Sequence, residues 1–194
     1  MKNIIKIPAF ALLTALFFAA CGPKQKTAAA PAAKPADPAV ECMAKTALTP
    51  NSFQNDCIGL YFKSAAPFLY AAGPSGQSVT FAVPKKDYSI EVLIFQNDTA
   101  QINTPEGRKA FIAAAGQHIL SQNPGFKITK EEITSFNNVP AVYIAASGKG
   151  RVERNYFFNN KGRWARLTMS STDKDFSQKI KPAQDAVIKT VRLY

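Results

Sequence analysis

Few residues in this chain have the types and spacing that chemistry needs: three cysteines, one histidine and thirteen carboxylates among 194 residues. A histidine acting as general base needs a nucleophile or a polarising partner in reach. Around His118 the sequence offers only the apolar positions Ala115 and Ile119 of a helical pattern, so a helix-surface or core-edge histidine is expected. Glu131 and Glu132 are adjacent, which on a strand sends their side chains to opposite faces. Asp173 and Asp175 sit where a helix should begin, and acids there complement the helix dipole. Gly148-Lys149-Gly150 lacks the surrounding spacing of a phosphate loop and reads as a hairpin turn. No catalytic residue, metal set or cofactor site is expected.

Cys42 and Cys57 form an even pair once Cys21 is accounted for. In an oxidising compartment such a pair reads as a disulfide closing a loop of about 15 residues, an entropic contribution of roughly 3 kcal/mol. Free buried thiols and half of a metal site are the rival readings. The most suggestive cluster for binding is Lys149, Arg151, Arg154, Lys161, Arg163 and Arg166 around Tyr156, Phe157 and Trp164. Strand alternation puts Arg151, Glu153, Asn155 and Phe157 on one face, and Trp164 with Arg166 and Thr168 on one face. If these faces coincide, a basic and aromatic patch results. The competing arrangement is a solvated sheet end with Trp164 packed beneath a helix.

Cys21 has a different setting. Lys2 and Lys6 precede an apolar run from Ile7 to Ala20 that stops at Gly22-Pro23-Lys24. This charge-then-apolar layout is that of a secretory signal, and the run is too short for a lasting span, which needs about 20 apolar residues. Its end, Phe18-Ala19-Ala20-Cys21-Gly22, resembles a bacterial lipobox, although Phe18 stands where an aliphatic residue is usual. The resemblance implies cleavage before Cys21 and lipidation of that cysteine; the plainer alternative is an ordinary cleaved signal that happens to precede a cysteine. Several acyl chains on one residue would tether the mature chain to a membrane, since each buried methylene adds about 0.8 kcal/mol. Gly22, in place of the Asp associated with inner-membrane retention, favours an outer membrane facing the periplasm where the cell has one.

From Gly22 to Val40 the sequence is rich in Pro and Ala without a large apolar residue before Val40, and it reads as an extended stalk. Residues 1–20 are thus expected to be signal, 21–40 anchor and linker, and 41–194 a single domain. The formal net charge is +11, or +9 once Lys2 and Lys6 are set aside with the signal. A tethered domain this basic favours anionic surfaces; in the envelope, nucleic acid is not an expected partner.

The elements that would position these residues follow from periodicity. Val79, Phe81 and Val83 alternate as a half-buried strand, and Tyr88 to Phe95 grows nearly all apolar, which predicts a central strand covered on both faces. Thr104-Pro105-Glu106 is a helix start, Phe111, Ala115 and Ile119 lie on one face, and Asn123-Pro124-Gly125 ends it. Lys130–Phe136, Pro140–Ser147, Arg151–Phe158 and Arg163–Ser171 are separated by turn residues and predict an antiparallel meander. Thr172 with Asp175 resembles a capping box before a last helix carrying Phe176, Ile180, Ala183 and Val187, with Pro182 placed to kink or break it. The fold class expected is α+β, an antiparallel sheet flanked by helices.

The strand VTFAVP, the strand NVPAVYIAAS after a capped helix, the hairpin YFFNNKGRWARLTMSS and the closing AVIKTVRL together resemble the PsbP-like superfamily, which includes DcrB-like envelope lipoproteins. The resemblance covers roughly Ala71 to Leu193 and omits the Cys42/Cys57 segment. It implies an α/β/α sandwich and an accessory, partner-binding role, with no catalytic residue to carry over. The function expected is therefore a membrane-anchored lipoprotein, not an enzyme, that binds an envelope protein or an anionic envelope component. A small-ligand binder with an apolar cavity is the second expectation and an enzyme the third.

Overall fold

The computed structural model describes residues 37–84, 87–97, 102, 104–172 and 176–194. The expectations for the signal, Cys21, most of the stalk and the Asp173 and Asp175 carboxylates lie outside those residues. The described chain opens with helix α1, Pro38–Met43, capped by Asp37, whose side chain accepts a hydrogen bond from the Ala39 N–H at 2.8 Å. The domain therefore begins before residue 41: Pro38 to Val40 are the first turn of α1, and Ala39 is buried in the core. Strands β1 (Thr46–Leu48), β2 (Ser52–Asn55), β3 (Leu60–Lys63), β4 (Leu69–Ala72), β5 (Ser78–Val83) and β6 (Tyr88–Phe95) follow. Helix α2, Pro105–Gln122, has the expected start, with the Thr104 hydroxyl accepting from the Gly107 N–H at 3.1 Å.

The meander is β7 (Lys127–Phe136), β8 (Val139–Gly148), β9 (Arg151–Asn160) and β10 (Arg163–Thr172). Its three turns, Asn137-Asn138, Lys149-Gly150 and Lys161-Gly162, each hold two successive residues at positive φ. That is the type I′ geometry whose twist matches a right-handed hairpin, and asparagine and glycine tolerate it best. The last helical stretch breaks close to Pro182, into a π-type turn at Phe176–Ile180 and helix α3, Lys181–Ile188. β11, Arg192–Leu193, is the last strand.

Seven strands form one antiparallel sheet in the order β4-β5-β6-β10-β9-β8-β7, and β1-β2-β3-β11 form a second sheet of four. This second sheet is not anticipated by the sequence pattern, because its strands have two to four residues and show too little alternation to read. It lies against one face of the large sheet through an aromatic cluster. Phe53 stacks on Phe62 at 5.2 Å, and Phe81 of the large sheet meets both edge-on at 5.6 and 5.7 Å. Burying aromatic side chains of this size dominates such an interface. α1 and the Phe176–Ile188 stretch complete that layer, and a separate core lies between α2 and the opposite face.

β6 corrects an expectation. It is interior to the sheet, but Tyr88, Ile90, Val92 and Ile94 are buried while Ser89, Glu91, Leu93 and Phe95 on the other face are only half-buried. The physical reason is the position of α2, which packs most closely on β7 and β8, reaches β10 through Trp164, and leaves the β5 and β6 side of that face less covered.

Candidate functional site

The less covered side of this face is the floor of a groove whose wall is α2. Strand register sorts the floor into rows. Leu93, Arg166 and Phe157 stand side by side on β6, β10 and β9; Glu91, Thr168 and Asn155 form the next row; Ser89, Ser170 and Glu153 the one after. Polarity therefore rises along the strands. The apolar half has a volume of about 360 Å³ against Leu93, Phe95, Phe111, Ala114 and Phe157. The polar half, about 460 Å³, continues over Glu91, Thr168, Asn155 and Glu153 to Arg151, with Gln122 and Asn123 of α2 on its wall. Leu93, His118 and Arg166 line both halves. Each volume falls in the range of small-molecule sites, about 300–1,000 Å³.

The aromatic layer beneath fixes α2 and so fixes the groove. Trp164 is 3% exposed and stacks on Phe111 at 4.9 Å, and Phe111 meets Phe157 edge-on at 5.4 Å. In the polar half, Arg166 Nη2 donates to Glu91 Oε2 at 3.1 Å and Arg151 Nη2 to Glu153 Oε1 at 3.2 Å. The Thr168 hydroxyl donates to Asn155 Oδ1 at 2.9 Å, and Asn123 Nδ2 donates to Glu153 Oε2 at 3.4 Å. Burial pushes the Glu153 carboxyl above its ordinary range, against the pull of Arg151 and Arg166. Arg166 Nε is shielded from solvent and has no hydrogen-bond partner among the described residues. Among the described residues, no group of three or more His, Cys, Asp or Glu side chains is placed to hold a metal ion.

The two strand faces that the sequence left separate do coincide, since Arg166 pairs with Phe157 and Thr168 with Asn155 across β10 and β9. The basic and aromatic patch nevertheless does not form as one surface. Arg151 and Arg166 reach the groove while Trp164 packs beneath α2. Arg154 points to the opposite face, 7% exposed, where its guanidinium pairs with Asp185 at 2.7 Å and donates to Gln184 Oε1 and the Tyr156 hydroxyl. That group locks α3 to the sheet. Lys149 and Lys161 occupy turns; Lys161 donates to the Asp56 carbonyl and lies over the Tyr194 ring, and Arg163 flanks a small recess beside Asn97. Of the six basic residues in that cluster, Arg151 and Arg166 thus carry charge into the groove.

Sequence reasoning missed Glu91, Ser89, Ser170 and Thr80 as groove residues. Their signal was present: polar residues alternate with apolar ones on strands otherwise fit for a covered sheet. His118 is exposed on the groove wall, consistent with a helix-surface histidine. Cys42 and Cys57 are joined as a disulfide with Cα atoms 5.5 Å apart, tying α1 to the turn between β2 and β3. Beside it, the buried Asn55 side chain donates to the Cys42 carbonyl at 2.9 Å and accepts from the Cys57 N–H at 3.0 Å.

Fold and groove place the molecule first in a class: an α+β protein with a helix on one face of a large antiparallel sheet and a mixed layer on the other. More particularly, the fold is PsbP-like, and the chain is similar to cyanobacterial PsbP (CyanoP) from Synechocystis sp. PCC 6803. The TM-score is 0.59 at 10% identity, over 76% of this chain and 95% of that one. A crystal structure of a protein of unknown function from Pseudomonas aeruginosa aligns at TM-score 0.44 and 18% identity, over 66% and 83% of the two chains. LpqN, involved in cell envelope biogenesis of Mycobacterium tuberculosis, aligns at 0.34 and 12%, over 69% and 70%. No protein family matches the sequence, and no curated protein matches it.

Proposed function

We propose that this chain is an accessory lipoprotein of the bacterial cell envelope, tethered through Cys21, that acts by binding and not by catalysis. The observation that carries the binding role is the groove beside α2, in which an apolar half runs into a charged half at Arg166. Its carboxylates already hold arginine partners, Glu91 with Arg166 and Glu153 with Arg151. Such pairing suits recognition, whereas acid–base chemistry asks for groups poised to exchange protons. The envelope assignment is supported by the lipobox-like end of the leading apolar run and by the disulfide, a bond that persists in oxidising compartments.

The test is in-cell crosslinking of the full chain with a photoreactive residue at Gln122, on the groove wall, and separately at Ile133, an exposed position of the edge strand β7. A discrete adduct from Gln122 that weakens with salt, and none from Ile133, is the expected result. The same adducts from both positions would remove the groove as the binding site.

A further inference from the structure

Arg166 stands at the boundary between two chemistries. On one side Leu93, Phe95, Phe111 and Phe157 enclose an apolar compartment of about 360 Å³. On the other, the hydroxyls of Thr80, Ser89, Thr168 and Ser170 rise from the floor toward Gln122 and Asn123 on the wall. At the boundary, Arg166 uses Nη2 on Glu91, and its shielded Nε has no acceptor among the described residues. A buried donor on a charged group left without an acceptor is costly. The Arg166 side chain is 18% exposed at the groove, so a small turn of the guanidinium would bring this donor to an anionic oxygen arriving there and gain a charge-assisted hydrogen bond.

Taking the groove to be the binding site, we infer that its occupant is a single-chain anionic amphiphile of lysophospholipid type. The acyl chain lies in the phenylalanine-lined half, the phosphate meets Arg166, and the hydroxylated head lies along Thr168 and Ser170. The apolar half explains the chain, and the unmatched arginine donor explains the anion. The short hydroxyl side chains explain a head that both donates and accepts. Glu91 and Glu153 do not repel the phosphate at full strength, because each is matched by an arginine, and burial favours the neutral form of Glu153. A protein tethered to a bilayer would meet such molecules continually.

The single tryptophan supplies the readout. Trp164 stacks on Phe111 and lies 6.0 Å from Phe95, two residues that line the apolar half, so filling that half changes its surroundings. The full chain carrying Cys21→Ser, and therefore no acyl chains of its own, is titrated with lauroyl lysophosphatidylglycerol below its micelle concentration. Dodecyl maltoside, with the same chain length and a neutral head, is titrated in parallel.

The inference expects saturable one-to-one change in Trp164 emission with the lysolipid, and binding of the neutral amphiphile weaker by about tenfold or more. Arg166→Gln should bring the two affinities together. Ala114→Phe, at an exposed helical position where folding is undisturbed, should abolish both. Equal affinity for the two amphiphiles, or lysolipid binding unchanged by Ala114→Phe, would overturn it. If no amphiphile binds while Ala114→Phe still abolishes the groove adduct in cells, the occupant is wrong and the groove stands. If that adduct also survives Ala114→Phe, both fall.

Discussion

Arg154 and Asp185 illustrate what a single residue controls here. Burial pushes the Asp185 carboxyl up, but hydrogen bonds from Lys181 and Arg154 outweigh it and hold the carboxyl below its ordinary value of 3.8. A carboxyl depressed in the folded state contributes stability above its unfolded pKa, and that stability drains away as the pH falls through the depressed value. Asp185→Asn should therefore lose about 1–2 kcal/mol at neutral pH, a figure between those of exposed and buried pairs because Asp185 keeps partial contact with water. Denaturant titrations at several pH values should show the difference between wild type and variant shrinking below pH 3.8, and a constant difference would contradict this assignment. Residues of this kind were hard to read from the sequence. Arg154 looked like a surface cation because it lies among five other basic residues, and only strand parity, once the partner layer is known, sends it inward.

Among elements, the hairpins were legible because their turns announce themselves. Asn137-Asn138, Lys149-Gly150 and Lys161-Gly162 are residues that accept positive φ, and the flanking strands run ten residues each. α2 was equally plain from Thr104-Pro105 and Asn123. The small sheet was not, since pairing between β3 and β11 joins residues from the two ends of the domain, a contact that local periodicity does not register. The groove was missed for a related reason: nothing in the sequence of α2 says which half of a sheet it will cover.

The two sheets depend on Phe81, so Phe81→Ala should cost about 3–5 kcal/mol in equilibrium unfolding, the range for emptying a large aromatic site. A loss below about 1 kcal/mol would mean that the cluster does not hold the layers together. The disulfide makes a parallel contribution to the small layer. Replacing Cys42 and Cys57 together by Ser should lower stability by roughly 3 kcal/mol for the 15-residue separation. Wild type under reducing conditions should match the variant.

For the whole molecule, charge and tether act together. The formal charge of +9 that remains once Lys2 and Lys6 are set aside gives a chain drawn to anionic head groups at low salt. An acyl anchor would hold it regardless of salt. Cys21→Ala should consequently convert a protein that resists high-salt washing into one that is released by it, and equal retention of both forms would rule out the anchor. Among the described residues, no helix is long and apolar enough to cross a membrane.

The pairing of β11 with β3 also bears on the order of events during synthesis. A chain delivered N-terminus first presents Leu60–Lys63 early, yet their partners Arg192–Leu193 follow only after the whole of the large sheet. The small sheet therefore stays incomplete until β11 has been delivered, whereas the bond between Cys42 and Cys57 needs only a short loop and can close long before. In that interval the disulfide serves as a placeholder, keeping the N-terminal segment in a near-native register and shortening the time in which its phenylalanines are open to misassociation.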